Sequence, residues 1–121
     1  MLSAMAHRKV LVVEDDHLIR EAIAEALDQE GFVVVEAANG REALDKLHQG
    51  RTSLVLLDLM MPVMDGWQFR EAQLQDPEIS DIPVVVLSAV SDEKVSAERH
   101  FSKPCDLDEL LDTVWEFTGG P

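Results

Sequence analysis

The residues able to do chemistry in this chain stand at the ends of short apolar runs. Leu54 to Leu57 is an unbroken apolar stretch that leads straight into Asp58. A run of that kind, bounded by a charge, reads as a buried strand, with Asp58 where the chain leaves the sheet. Pro62 then interrupts regular structure, and Asp65-Gly66 signals a turn. Lys9 to Val13 is another apolar run and ends in Glu14-Asp15-Asp16. VVVLS ends at Ser88, and a brief run from His100 ends at Lys103. In open parallel α/β sheets, ligands bind outside the carboxyl ends of the strands. Glu14, Asp15, Asp58, a hydroxyl and an ammonium would therefore converge at one edge. Packed carboxylates repel one another and take up protons unless a cation intervenes. An all-oxygen donor set suits Mg²⁺ or Mn²⁺. No His or Cys joins it, which disfavours zinc. Ser88, Lys103 and a hard cation would hold the oxygens of a phosphoryl group. Asp58 is the carboxylate placed to attack phosphorus and form an acyl phosphate.

Each residue has a plainer reading. An Asp at a strand end is common in a chain with 24 acidic residues. Glu14-Asp15-Asp16 could simply cap a helix N-terminus, and for Asp16 that is the better reading. Ser88 alone is a turn residue, and Lys103-Pro104 alone is a loop entry. The combination, in this order and each member at a strand tip, favours the functional reading. Cys105 reads as a packed or half-exposed thiol, His7 and His48 as solvated, and Trp67 and Trp115 as packing residues.

The elements that must carry these tips alternate. His17 to Glu30 has Ile19, Ala22, Ile23, Ala26 and Leu27 at helical spacing, closed by Gly31. Phe32 to Ala37 is a strand. Asn39 and Glu42 open the next helix, with Ala43, Leu44 and Leu47 on its buried stripe and Gly50 beyond its end. A helix over about Trp67 to Gln75 has an untidy stripe of Phe69, Ala72 and Leu74. Pro83 opens the fourth strand, and His100 to Lys103 forms a brief fifth. Asp106 and Glu109 resemble a capping box for a last helix whose apolar face is Leu107, Leu110, Leu111, Val114 and Trp115. Strands alternating with helices predict an α/β, flavodoxin-like, doubly wound five-stranded parallel sheet of order 2-1-3-4-5.

Composition agrees. With 121 residues, the chain is long enough for one domain with a real core. A formal charge of −14 argues against direct nucleic-acid binding. No apolar run approaches a membrane span. Met1 to His7 lacks the pattern of a signal peptide and is expected to be a disordered leader or an expression remnant. The single cysteine, Cys105, excludes an internal disulfide and fits a cytoplasmic location. The expected division is a leader over 1–7, a domain over 8–118 and a tail over 119–121.

Four segments together carry a family resemblance. VLVVEDD, LVLLDLMMPVMDG, VVVLSA and SKP resemble, in order, the acid pair, phosphoacceptor segment, Ser/Thr switch strand and lysine-proline of the receiver domain of bacterial two-component response regulators. The resemblance runs from about Lys9 to Thr118. It implies a CheY-like fold with Asp58 as the phosphorylated residue. Asp15 would bind Mg²⁺ directly, Glu14 would act through a metal-bound water, and Met60 would offer its backbone carbonyl. Ser88 and Lys103 would contact the phosphoryl oxygens. The donor would be a phosphohistidine on a sensor histidine kinase or a histidine phosphotransfer protein. The domain would be a switch that assists its own phosphorylation and dephosphorylation rather than an enzyme. An X-Pro bond in this tight loop is also expected to be cis.

The chain departs from that pattern at three places. His100 stands where the family often has a switch Tyr or Phe, and Cys105 where it often has Phe. Only Ala89 to Ser102 separates Ser88 from Lys103, and His100 to Ser102 are needed for the fifth strand, so Ala89 to Arg99 remains where a crossover ordinarily takes a dozen or more residues with a helix. Ser91 and Asp92 offer N-caps, but Glu93 to Glu98 can make at most about two turns. Val95 and Ala97 offer little apolar surface to hold them. Helix 4 of the family is therefore expected to be shortened or absent, with the usual dimer through that face disfavoured. No output domain fits within the chain, so it reads as a stand-alone or excised receiver. Two rival readings remain. One is a receiver-like interaction scaffold that is not phosphorylated. The other is a phosphatase or transferase, disfavoured because Met60 stands where such enzymes carry a second Asp.

Overall fold

The structure is a computed structural model describing residues 8–90 and 94–121. The leader over 1–7 and the N-caps at Ser91 and Asp92, with Glu93, lie outside the described residues. Five strands, β1 (Lys9–Val13), β2 (Val33–Ala37), β3 (Leu54–Leu57), β4 (Val84–Ser88) and β5 (Arg99–Ser102), form one parallel sheet of order β2-β1-β3-β4-β5. Four helices, α1 (His17–Gln29), α2 (Gly40–Leu47), α3 (Gly66–Leu74) and α4 (Leu107–Thr118), connect or follow them. The doubly wound architecture is the one expected from the alternation of elements.

Side chains alternate across a strand, so each strand feeds two cores. Leu11, Val13, Val55, Leu57, Val84 and Val86 face Ala43, Leu47 and Phe69 of α2 and α3. Val10, Val12, Leu54, Leu56, Val85 and Leu87 face Ile23, Leu27, Leu110 and Val114 of α1 and α4. All four residues of β3 are buried. Burying such side chains contributes about 1.5–3 kcal/mol each, so β3 is the axis on which both layers close.

Local signals account for most helix ends. Asp16 caps α1 by accepting from the Leu18 and Ile19 amides at 3.0 and 3.1 Å. Asn39 accepts from Glu42 N at 3.0 Å, while the Glu42 carboxylate accepts from Ala38 N at 3.2 Å. Asp106 accepts from the amides of Asp108 and Glu109. The reciprocal capping box is instead on α3, between Asp65 and Gln68. Gly66 is not the turn its dipeptide suggested but the first residue of α3, with Asp65 as N-cap. A Cβ there would lie 2.5 Å from the Asp58 carbonyl oxygen and 2.7 Å from Leu59 Cα, so only glycine lets α3 seat against the tip of β3.

Two expected stripes are corrected. On α3, Leu74 is 46% exposed, whereas Arg70 and Gln73 are buried. Arg70 and Gln73 point inward because the chain supplies them with carbonyl partners there. On α4, Leu107 and Trp115 are 41% and 44% exposed, and Thr113 and Thr118 take buried places. Their hydroxyls bond the helix carbonyls of Glu109 and Val114, which removes the penalty for burying them. Trp115 still packs, edge-on against Phe32, with its indole N–H donating to Glu30.

Among the described residues there is no helix between β4 and β5; Lys94 lies in a turn. The expected shortening of helix 4 is met. Val95, thought too little to hold the segment, is 6% exposed and joins the core beside Phe69 and Val84. It anchors the return because one residue, not a helical stripe, has to cover that end of the sheet.

Candidate functional site

The register brings the strand tips together. Val13 is level with Ala37 on one side and Leu57 on the other. The ladder continues one step beyond: Glu14 N donates to Ala37 O at 3.0 Å, and Asp58 N to Val13 O at 2.9 Å. Glu14 and Asp58 therefore emerge side by side, buried to 2% and 5% exposure. Asp15, on the exposed rim, completes the group. One carboxylate oxygen from each of Glu14, Asp15 and Asp58 lies within 4.8 Å of the others.

Lys103 enters from β5. Ser88 pairs with Ser102, and Lys103 N donates to Ser88 O at 3.0 Å. The Lys103 ammonium bonds Glu14 Oε1 and lies 3.5 Å from Asp58 Oδ2. The Lys103–Pro104 peptide is cis, as expected. Asp58 Oδ1 accepts from Leu59 N at 2.8 Å, which orients the carboxylate. Glu14 Oε2 accepts from Asp16 N at 3.0 Å. Ser88 is buried, and its Oγ accepts from Val90 N at 3.2 Å. That bond uses an oxygen lone pair and leaves the hydroxyl hydrogen available to donate.

Of the three carboxylates, Glu14 and Asp58 share the Lys103 ammonium. Burial pushes the Glu14 carboxyl above its usual range; Lys103 and the Asp16 amide pull it back, and the Asp58 charge pushes it further up. Burial alone would lower the Lys103 ammonium, but its bond to Glu14 and the charge of Asp58 outweigh that and hold it above its ordinary value. A surplus of negative charge on an all-oxygen donor set fits a hard divalent cation.

Other sequence candidates fall outside this contact network. The Met60 side chain is 56% exposed, so only its backbone is suited to a role at the site. His100 is exposed, and its Nε2 meets Val95 O at 3.1 Å, which makes Nε2 the protonated nitrogen. One contributor was missed. Arg20, on α1, donates to the Glu14 carbonyl at 2.8 Å and pairs with Glu36 at 3.2 Å. It braces the backbone that carries the acid pair. A mid-helix arginine carries no local signal of that role.

A family model for the response regulator receiver domain matches residues 10–115, nearly the whole sheet and its helices. The chain belongs to the response regulator receiver family. The receiver is 34% identical over 120 residues to sporulation initiation phosphotransferase F of Bacillus subtilis, covering 93% of this chain and 95% of that protein. It is 36% identical over 111 residues to the phosphate regulon transcriptional regulatory protein PhoB of Escherichia coli, covering 86% of this chain but 48% of that protein. The receiver thus spans about half the length of several relatives it matches. Among solved structures it is similar to the Vibrio cholerae chemotaxis protein CheY4, with 31% identity and a TM-score of 0.84 over 93% of this chain and 99% of that one. It is also similar to the response regulator TrrA of Thermotoga maritima, a structure in complex with Mg²⁺ and BeF, with 31% identity and a TM-score of 0.80 over 91% and 98% of the two chains. The receiver is a phosphorylation-activated module of two-component signalling, and its described residues include no helix able to cross a membrane.

Proposed function

We propose that the receiver accepts a phosphoryl group on Asp58 from a phosphohistidine of a sensor histidine kinase or a histidine phosphotransfer protein. The Asp58 carboxylate would attack phosphorus, forming the O–P bond of an acyl phosphate as the P–N bond breaks and the imidazole leaves with the electron pair. The observation that carries this reading is the convergence of the Glu14, Asp15 and Asp58 carboxylates within 4.8 Å, with Lys103 touching two of them.

Asp15, Asp58 and the Met60 carbonyl would hold Mg²⁺, or Mn²⁺, with Glu14 acting through a bound water. The cation supplies charge neutralisation on the transferring phosphoryl group. Lys103 stabilises another of its oxygens, and Ser88 donates its free hydroxyl hydrogen to a third. Ser88 and the β4–β5 return then carry the response, with His100 following through its bond to Val95. The module works as a cytoplasmic switch that assists its own phosphorylation and dephosphorylation, over a domain spanning 8–118. A formal charge of −14 disfavours direct contact with DNA. An unphosphorylated scaffold would have no use for a buried carboxylate cluster, and that disfavours it.

The test is incubation with a small phosphodonor and Mg²⁺, with mass spectrometry locating the label. Asp58→Ala should abolish acid-labile phosphate, whereas Asp16→Ala, which removes a helix cap, should keep it. Full labelling of Asp58→Ala would overturn the assignment.

A further inference from the structure

Lys103 reaches the site only if β5 is in register, yet β5 is poorly equipped to find that register by burial. It is a four-residue edge strand in which Arg99, His100 and Ser102 are exposed and only Phe101 is half-buried. Strand register is set by burial of one face, and a slip of one residue moves the chain by about 3.3 Å and turns every side chain over. Such a slip would carry the Lys103 ammonium away from Glu14 and Asp58.

The return segment just ahead of β5 supplies what the strand lacks. Glu98 clamps the start of β4 from both sides: its amide donates to Val84 O at 2.8 Å, and its carboxylate accepts from Val84 N at 2.8 Å. Arg70 holds the same segment from beneath. Its Nε donates to Ser96 O at 2.6 Å, and a second nitrogen donates to Gln73 Oε1 at 2.7 Å. Gln73 passes the restraint on, donating to Ile79 O and Ile82 O at 2.9 and 3.0 Å. The return is thereby tied through α3 to the chain entering β4. Arg70 is 6% exposed, and Glu98 is the nearby charge that favours its guanidinium. An apolar residue could fill the same space, but Ser96 O and Gln73 Oε1 would then lose the donor that satisfies them. What an apolar residue cannot do is select one position for a backbone carbonyl.

We propose that Arg70 is a positioning residue for Lys103: by fixing Ser96 and, beside it, Glu98, it sets the register of β5 and hence the place of the ammonium at the site. The proposal rests on the reading that Lys103 contacts the phosphoryl group and not the cation. Val95 covers the end of the sheet, and the buried Arg70 sets the register of the strand that follows.

The test uses the full chain, with Mg²⁺ alone and with beryllium fluoride as the phosphoryl mimic. Lys103→Ala should weaken beryllium fluoride binding and leave Mg²⁺ affinity nearly unchanged. Arg70→Met should do the same, by about tenfold, a size typical of coupled hydrogen-bonding residues. The double variant should bind no more weakly than Lys103→Ala alone, because a displaced lysine has nothing left to lose. If Lys103→Ala has no effect, the reading of Lys103 fails and this inference with it. If Lys103→Ala weakens binding but Arg70→Met adds an independent loss, or lowers Mg²⁺ affinity equally, Lys103 keeps its role and Arg70 loses the one proposed. Should Arg70→Met not fold, Glu98→Ala, at an exposed position, removes the neighbouring clamp, and the same comparisons decide.

Discussion

At the scale of single residues, the site concentrates opposed demands. Glu14 is buried beside Asp58, and burial together with the Asp58 charge raises the energy of the Glu14 carboxylate; Lys103 relieves it only in part. The loop between Asp58 and α3 carries a different strain. Val63 has φ 68°, the left-handed region, where a β-branched side chain crowds its own backbone. It is 80% exposed, so no packing gain offsets that cost. Val63→Asn should therefore stabilise the domain by about 1 kcal/mol, since asparagine tolerates this conformation. Urea unfolding would register it as a higher midpoint at unchanged slope; a lower midpoint would mean that Val63 makes a favourable contact its exposure conceals. The meeting of Glu14, Asp15 and Asp58 was legible in the sequence because two apolar runs end at them, and hydropathy marks such ends well, whereas Lys103 follows the polar run RHFS and was placed by the order of the strands. Val63 was not, because backbone conformation at a loop residue depends on what the loop must reach.

At the scale of elements, the strands and most caps followed from local pattern, and the exceptions share a cause. Arg70, Gln73, Leu74, Leu107 and Trp115 sit on helices whose inward faces are decided by neighbours distant in sequence. Arg70 and Gln73 are buried because the short β4–β5 return and the α3–β4 connection present carbonyls to them, and no periodicity on α3 could announce that. That a crossover helix would be shortened or absent was legible, since it follows from counting the residues left between β4 and β5, and the described residues there include no helix. How the remaining segment is held was not. Gly66 shows the same limit: its dipeptide reads as a turn, and its actual purpose is the close approach of α3 to β3. Gly66→Ala should force α3 away from the Asp58 carbonyl, destabilising the fold by about 2 kcal/mol as overpacking does. It should also slow labelling of Asp58 more than the loss of folded protein explains. Thermal melts run alongside single-turnover labelling would separate the two effects, and an unaltered melt would show that the contact relaxes without strain.

At the scale of the whole molecule, the formal charge of −14 and the carboxylate cluster make competing claims on any divalent cation. Mg²⁺ could stabilise the domain by screening its general self-repulsion, or by binding between Asp15 and Asp58. The two differ in their dependence on one residue. Site binding stabilises only the folded chain, so Mg²⁺ at a hundred times its dissociation constant should raise Tm by about 10 °C. Asp15→Asn should act in opposite directions on two readings of the same melt. Without Mg²⁺ it should raise Tm, because one of three mutually repelling carboxylates has become neutral. With Mg²⁺ the increment should shrink to the small one given by NaCl at equal ionic strength, because a directly bound ligand is gone. Screening of the whole surface predicts neither result, since one charge among so many leaves the self-repulsion nearly as it was. Equal Mg²⁺ increments in Asp15→Asn and the parent chain would therefore place the cation in the diffuse atmosphere and remove Asp15 from the ligand set.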